Sequence, residues 1–170
     1  MKNYFNDITA RTQKLIQKFG TRDPFAIAKN LDIDIIYASN FGKLKGMYRV
    51  IQRNRFIFLN VKNNDRLNTI VCAHELGHDQ LHRQFAKETP FQEFMLYDMA
   101  SRTEYEANIF ASELLLDTKS VIEYVKNGYD ALQIANATET DINLVALKVD
   151  SLIRNGYDLK EQPHNSKFLK

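Results

Sequence analysis

Two histidines and a glutamate lie in one five-residue stretch, His74-Glu75-Leu76-Gly77-His78. Histidines four residues apart on a helix lie on the same face, about one turn from each other. At that separation both imidazole nitrogens can reach one metal ion at about 2.0–2.1 Å. Glu75 falls within the same arc and can reach a water at that ion without being a ligand. This spacing is typical of zinc-dependent peptidases, in which the glutamate is the general base.

The residues around the motif decide whether it lies on an exposed helix, where such a pattern can arise by chance. They are mostly apolar: Ile70, Val71, Cys72, Ala73 and Leu81. On a buried helix, unpaired histidines and a carboxylate would cost free energy, which favours a bound metal. Gly77 costs about 1 kcal/mol of helix stability relative to alanine, so we expect another element to pack closely there. Cys72, the single cysteine, is expected to pack in the core.

A catalytic zinc site needs a third protein ligand. The candidates lie on a helix predicted over residues 102–116, where Glu104 and Glu106 point about 200° apart. Glu104 shares its face with small residues that let two helices approach, so we assign Glu104 as the ligand and keep Glu106 as the alternative. Asn108, one turn beyond Glu104, can hydrogen-bond a ligand histidine. His82 is expected at the rim of the site, because three ligands already complete it.

Peptide hydrolysis also needs a donor that stabilises the oxyanion together with the metal. A tyrosine or histidine usually supplies it. Tyr97, Tyr105, Tyr124 and His82 are the candidates, and the sequence does not distinguish them.

Composition limits the class of protein. The 170 residues are 44% apolar and 26% charged, with a net charge of +2, as in ordinary globular proteins. This balance does not favour strong binding to polyanions. No apolar run approaches the roughly 20 residues that span a membrane, and the N-terminus lacks the apolar run of a signal peptide. We therefore expect a cytoplasmic protein that is not membrane-bound.

Periodicity predicts helices over residues 3–19, 24–31, 65–83, 102–116, 117–126, 130–137 and 141–155. Short β runs are predicted over residues 33–36, 47–51 and 56–60, the last two as an antiparallel hairpin. Residues 84–98 are predicted to form a loop that can include a short helix. We expect residues 47–51 or 56–60 to offer an open sheet edge for an extended substrate.

These elements predict an α+β fold with a small twisted antiparallel or mixed sheet and C-terminal helices. We expect one metallopeptidase domain over residues 1–158. It comprises a catalytic core over about residues 24–117 and a helical part over about 118–158. Residues 159–170 are polar and are expected to be a flexible tail.

Six short stretches carry a resemblance to a known family. They are residues 24–28 with 31–33, residues 58–60, the motif at 74–78, and residues 104–111 with 114–116, which read PFAIA, LDI, FLN, HELGH, EYEANIFA and LLL. With them the sequence resembles the ImmA/IrrE family of metallopeptidases over roughly residues 24–157. One departure is Asp117, where the family often has proline; it concerns a helix cap and not the chemistry.

The resemblance implies a zincin-like, gluzincin-type core in which His74, His78 and Glu104 bind Zn²⁺ and Glu75 is the base. It implies an endopeptidase that cleaves a phage-type, helix-turn-helix transcriptional repressor and so derepresses a prophage or mobile element. The alternative is a non-proteolytic regulatory protein that binds a repressor or DNA.

The resemblance also gives residues 131–152 the outline of a helix-turn-helix. A recognition helix needs basic or amide side chains. Residues 141–152 offer Asn143 and Lys148 but also Asp141 and Asp150. We therefore expect a packing module or a repressor-docking surface, and no DNA binding.

Overall fold

A computed structural model describes residues 2–84, 91–93 and 101–159 of the chain, with the side chains of 5–84 and 101–159. Its elements are, in order, α1 (Lys2–Phe19), α2 (Pro24–Asn30), β1 (Ile33–Ala38), β2 (Gly46–Ile51), β3 (Asn54–Asn60), α3 (Asp65–His82), β4 (Phe91–Glu93), α4 (Arg102–Leu115), α5 (Thr118–Lys126), α6 (Ala131–Ala137) and α7 (Ile142–Arg154). Among the described residues, none of the helices is long and apolar enough to cross a membrane.

The predicted α+β class is confirmed, and the sheet is mixed. Its strand order is β1-β3-β2-β4, with β1 parallel to β3 and the other two pairs antiparallel. Gln52 and Arg53 form the two-residue turn of the β2–β3 hairpin, and both have positive φ, as a type I′ turn requires.

Side-chain caps set where the helices of the site begin. Asn64 accepts a hydrogen bond from Leu67 N at the start of α3, and Ser101 accepts one from Glu104 N at the start of α4. Each cap satisfies a backbone donor that the first turn leaves unpaired. The Ser101 cap places Glu104 in the first turn of α4.

Helix α3 lies at the centre, between the sheet and α4, while α1 and α7 pack against α4. Residues of α3, α4, α6 and α7 belong to one apolar core, among them Leu76, Phe110, Ile134 and Leu144. Cys72 is buried in this core, as predicted.

Two sequence predictions differ from the structure. Within the predicted loop at 84–98, Phe91–Glu93 forms a strand and not a helix, because it pairs with Gly46, Met47 and Tyr48 of β2. The remaining residues of 85–98 lie outside the described residues, as do 160–170 of the predicted tail. The second difference concerns the sheet edges: β3 has a neighbour on both sides, and β2 is covered over Gly46–Tyr48.

Candidate metal centre

Helix α3 carries His74, Glu75 and His78 into the interior, where each side chain is almost entirely buried. The neighbouring helix α4 comes very close because Gly77 has no side chain. A Cβ at Gly77 would lie 2.9 Å from Cα of Ala107, closer than real carbon atoms approach. The close packing predicted at Gly77 is therefore confirmed, and it brings α4 within reach of the histidines.

The carboxylate of Glu104 meets both histidines. Its Oε2 lies 3.1 Å from Nε2 of His74, and its Oε1 lies 3.4 Å from Nε2 of His78. The two Nε2 atoms are 3.0 Å apart. One ligand atom from each residue falls within 4.8 Å of the other two, so this trio can hold a metal ion.

Asn108 shows why this trio suits a cation. Its Oδ1 lies 2.9 Å from Nδ1 of His74, and because an amide oxygen only accepts, Nδ1 carries the proton. In a neutral ring Nε2 then has a lone pair, which faces the Glu104 carboxylate. Two electron pairs at that distance repel each other unless a metal ion or a proton lies between them. The donor set of two imidazoles and a carboxylate matches that of catalytic zinc sites.

The charge states of these groups also suit metal binding, which requires neutral imidazoles and an ionised carboxylate. Burial lowers the pKa of His78 to about 4. Burial would raise the pKa of Glu104, but the adjoining imidazoles of His74 and His78 outweigh it and hold that pKa well below its usual range.

Glu75 lies beside the first residue of β2. A Cβ at Gly46 would lie 3.2 Å from Oε1 of Glu75 and 2.3 Å from Cγ1 of Val71. Only glycine at this position lets the strand approach α3 so closely. The sheet therefore passes directly alongside the predicted general base.

His82 does not lie where the sequence suggested. His82 is 3% exposed, so the prediction of a rim residue is wrong. Its Nδ1 lies 3.2 Å from Nδ1 of His78, and its Nε2 lies 2.8 Å from Oε2 of Glu106. Glu106, the alternative ligand, thus faces His82, and its other oxygen accepts from Nε of Arg102 at 2.7 Å.

Three of the four candidates for the oxyanion donor lie among the described residues, and each contacts another side chain. Tyr105 packs edge-on against Phe5 of α1, and Tyr124 packs against Tyr129. His82 has both ring nitrogens in the contacts just given. Tyr97 lies outside the described residues.

Sequence reasoning missed Asp79, which follows His78 and is 1% exposed. It accepts hydrogen bonds from Tyr48 Oη at 2.6 Å and from both Arg55 and Arg83. These bonds tie the C-terminal half of α3 to β2 and β3. A lone aspartate after the motif gives no signal of this role, because Tyr48 and Arg55, its partners in the sheet, are distant in sequence.

Comparison with known proteins agrees with this geometry. Residues 28–149 match the peptidase M78 family, described as the IrrE N-terminal-like domain. The chain is 34% identical over 148 residues to an uncharacterized immunity region protein 2 of Bacillus phage phi105, covering 87% of this chain and 92% of that protein. It is 28% identical over 137 residues to the metallopeptidase ImmA of Bacillus subtilis, covering 75% of each. The family match and the relatives confirm the resemblance seen in the sequence: the chain belongs to the ImmA/IrrE family of metallopeptidases.

Proposed function

We propose that this metallopeptidase is a zinc-dependent endopeptidase whose metal is bound by His74, His78 and Glu104. The observation that carries the proposal is the convergence of these three side chains beside Glu75 on one buried helix pair. A zinc ion held there would polarise the scissile carbonyl and lower the pKa of a water. Two histidines and a glutamate, with Glu75 directly after the first histidine, form the set that zinc peptidases use.

Glu75 is the general base in this proposal. Its carboxylate takes a proton from the attacking water and delivers it to the amine that leaves. Glu75 is fully buried between α3 and β2, and a fixed carboxylate needs no reorganisation before it accepts the proton. In this proposal the Nε2 lone pairs of His74 and His78 bind the zinc, so neither ring is free to accept the proton from water.

The substrate we propose is a phage-type, helix-turn-helix transcriptional repressor, whose cleavage derepresses a prophage or mobile element. Family membership supports a protein substrate, and one relative is named for a phage immunity region. A protease acting inside a cell must be selective, so we expect recognition of a folded partner in addition to the cleaved segment.

The structure changes how an extended substrate can dock. The prediction that a substrate can dock on Phe56–Asn60 is wrong. This strand pairs with β1 on one side and with β2 on the other. On β2 the residues nearest Glu75 pair with β4, and only Arg49–Ile51 lie beyond that pairing. A substrate that adds a strand must therefore use an outer edge of the sheet or replace β4.

The alternative is a regulatory protein that acts by binding DNA or a repressor. One observation weighs against DNA reading by α7. Lys148 is 1% exposed and forms an ion pair with Glu113 at 2.7 Å, and Asn143 is also buried. Side chains held in the core cannot contact bases.

Co-expression with the repressor encoded nearest the gene tests the proposal. We expect mass spectrometry to show single-site cleavage of the repressor and little activity on casein. Glu75→Gln should keep zinc and fold but lower cleavage by about 10²-fold or more, since an amide cannot accept the proton. Glu123→Gln, on the exposed face of α5, is the matched control and should cleave normally. An intact repressor under all inducing conditions, with specific DNA binding by this chain, would favour the regulatory alternative.

A further inference from the structure

We propose that His82 and Glu106 are positioning residues that set the tautomer and ring orientation of His78. They form a chain of hydrogen bonds that leads from His78 away from the metal centre. The inference rests on the proposed function, since it assigns a purpose to residues that support a metal ligand. Neither residue belongs to the trio of His74, His78 and Glu104.

This series of hydrogen bonds is continuous and mostly buried. His78 Nδ1 meets His82 Nδ1 at 3.2 Å, and His82 Nε2 meets Oε2 of Glu106 at 2.8 Å. Nε of Arg102 donates to Oε1 of Glu106 at 2.7 Å. The side chains of His82 and Glu106 are 4% and 8% exposed, whereas that of Arg102 is 76% exposed. The series of hydrogen bonds thus begins at the buried imidazole of His78 and ends at the solvated guanidinium of Arg102.

The proton positions of His78 and His82 follow from the contact between Arg102 and Glu106. Arg102 donates to the Glu106 carboxylate, which in turn accepts from His82, so the proton of His82 is on Nε2. A neutral His82 then has its lone pair on Nδ1 and can only accept there. The bond between the two rings therefore requires the proton of His78 on Nδ1. This leaves the lone pair of His78 on Nε2, the atom that faces His74 and Glu104.

The two histidines of the trio thus have different supports. His74 donates from Nδ1 to the neutral amide oxygen of Asn108, close by on α4. His78 donates to an imidazole that is itself polarised by a carboxylate. Hydrogen-bond partners of this kind orient metal-binding histidines and raise their basicity, and their loss commonly costs about 10–100-fold in metal affinity.

Nitrogen NMR of the zinc-loaded wild-type chain tests the tautomers directly. The chain has four histidines, so ¹⁵N-histidine labelling gives few signals to assign. We expect His74 and His78 to carry the proton on Nδ1 and His82 to carry it on Nε2. A zinc-loaded chain in which His82 is protonated on Nδ1, or on both nitrogens, would overturn the inference while leaving the proposed function intact.

Substitutions at His82 separate positioning from packing. In His82→Gln the amide oxygen can accept from His78 and the amide nitrogen can donate to Glu106, so we expect nearly normal zinc affinity in chelator competition. In His82→Leu the apolar packing remains, but the hydrogen bonds to His78 and Glu106 are lost. We therefore expect zinc affinity to fall by about 10–100-fold. A packing role predicts the opposite order, and that result would overturn the inference.

Substitution of Glu106 provides a second test of the inference. Glu106→Leu should weaken zinc binding by a similar factor, although the residue contacts no metal, while Glu123→Leu on α5 should not. Circular dichroism establishes that each variant is folded. Normal zinc affinity in a folded Glu106→Leu chain would overturn the inference. A wild-type chain that binds no zinc would contradict the proposed function itself, and this inference would fall with it.

Discussion

Glu104 and Glu106 lie two residues apart on α4 and meet different histidines. Side chains two residues apart on a helix point about 200° apart. Glu104 therefore faces His74 and His78, whereas Glu106 faces His82. The same residue type therefore has two environments: one carboxylate is kept ionised by its neighbours, whereas burial raises the pKa of the other. Their different surroundings give a direct test of the ligand assignment.

We expect Glu104→Ala to lose zinc almost completely, since two histidines alone do not complete a catalytic site. His74→Ala and His78→Ala should behave in the same way. Metal content after dialysis, measured by mass spectrometry, gives the stoichiometry, which should be about one zinc per wild-type chain. The control is Glu123→Ala, which should keep its zinc. Full zinc in Glu104→Ala, with complete loss in Glu106→Ala, would show that the ligands are assigned wrongly.

At the scale of elements, the contact between α3 and α4 determines whether the site forms. Glycine in the middle of a helix is destabilising, and replacing it with alanine normally stabilises a helix by about 1 kcal/mol. At Gly77 the added methyl would meet Cα and O of Ala107 at 2.9 and 3.1 Å. Backbone atoms cannot move aside as a flexible side chain can, so the two helices must separate.

We therefore expect Gly77→Ala to destabilise the protein by about 1–3 kcal/mol, as overpacking does. Zinc affinity should fall as well, because separation of the helices carries Glu104 away from the histidines. Urea unfolding and chelator competition measure the two effects. Gly77→Ser should cost at least as much. An increase in stability for Gly77→Ala would mean that helix propensity outweighs the contact.

A second element, α5, begins at Asp117, which accepts from Ser120 N as the N-cap and forms an ion pair with Arg22 at 3.0 Å. The hydrogen bond from Ser120 lowers the pKa of Asp117, and Arg22 adds to this. A carboxyl whose pKa is lowered by folding stabilises the fold above its usual pKa of 3.8. That stabilisation is lost as the pH falls through the folded-state pKa.

Asp117→Ala should cost about 1 kcal/mol at pH 7, as loss of an N-cap does. Asp117→Asn keeps a capping oxygen and should cost less. Thermal unfolding between pH 7 and pH 3 should show the difference between wild type and Asp117→Ala shrinking as the carboxylate is protonated. A difference that stays constant down to pH 3 would contradict the role of the charge.

Across the whole molecule, the C-terminal helices and the metal centre share α4. One side of α4 presents Glu104 and Asn108 to α3, and another presents Ser112 and Glu113 to α7. Ser112 donates to the carbonyl of Leu144, and Ser151 donates to Glu113. We therefore propose that residues 118–158 fold together with the catalytic core as one domain, within which α7 supports α4.

The buried ion pair between Lys148 and Glu113 tests this dependence. Lys148→Met leaves a buried carboxylate without its cation and should destabilise the protein by about 3–5 kcal/mol. The double variant with Glu113→Gln should regain much of this loss, because no unpaired charge remains. Chemical unfolding should show one transition for all variants, and Lys126→Met, on the exposed end of α5, is the control. A Lys148→Met chain as stable as wild type would mean that α7 contributes little to holding α4.

Local information in the sequence was sufficient for most elements. The apolar periodicity marks where helices lie and which face is buried, because this signal depends on residues within one or two turns. The turn spacing of His74 and His78 is equally local, and so is the cost of glycine within a helix, which predicted a close approach at Gly77. The sequence by itself therefore determined the α+β class, the helix that carries the motif and the pair of glutamates from which a third ligand must come.

Contacts between distant residues decided the rest. Whether Glu104 or Glu106 faces His74 and His78 depends on how α4 packs on α3, where Ala107 meets Gly77. No local pattern encodes this packing. The burial of His82 and its bond to Glu106, the pairing of β4 with β2 and the use of Lys148 inside the core likewise join residues far apart in sequence. Only the tertiary structure could place them, because each is fixed by packing that forms after the helices and strands meet.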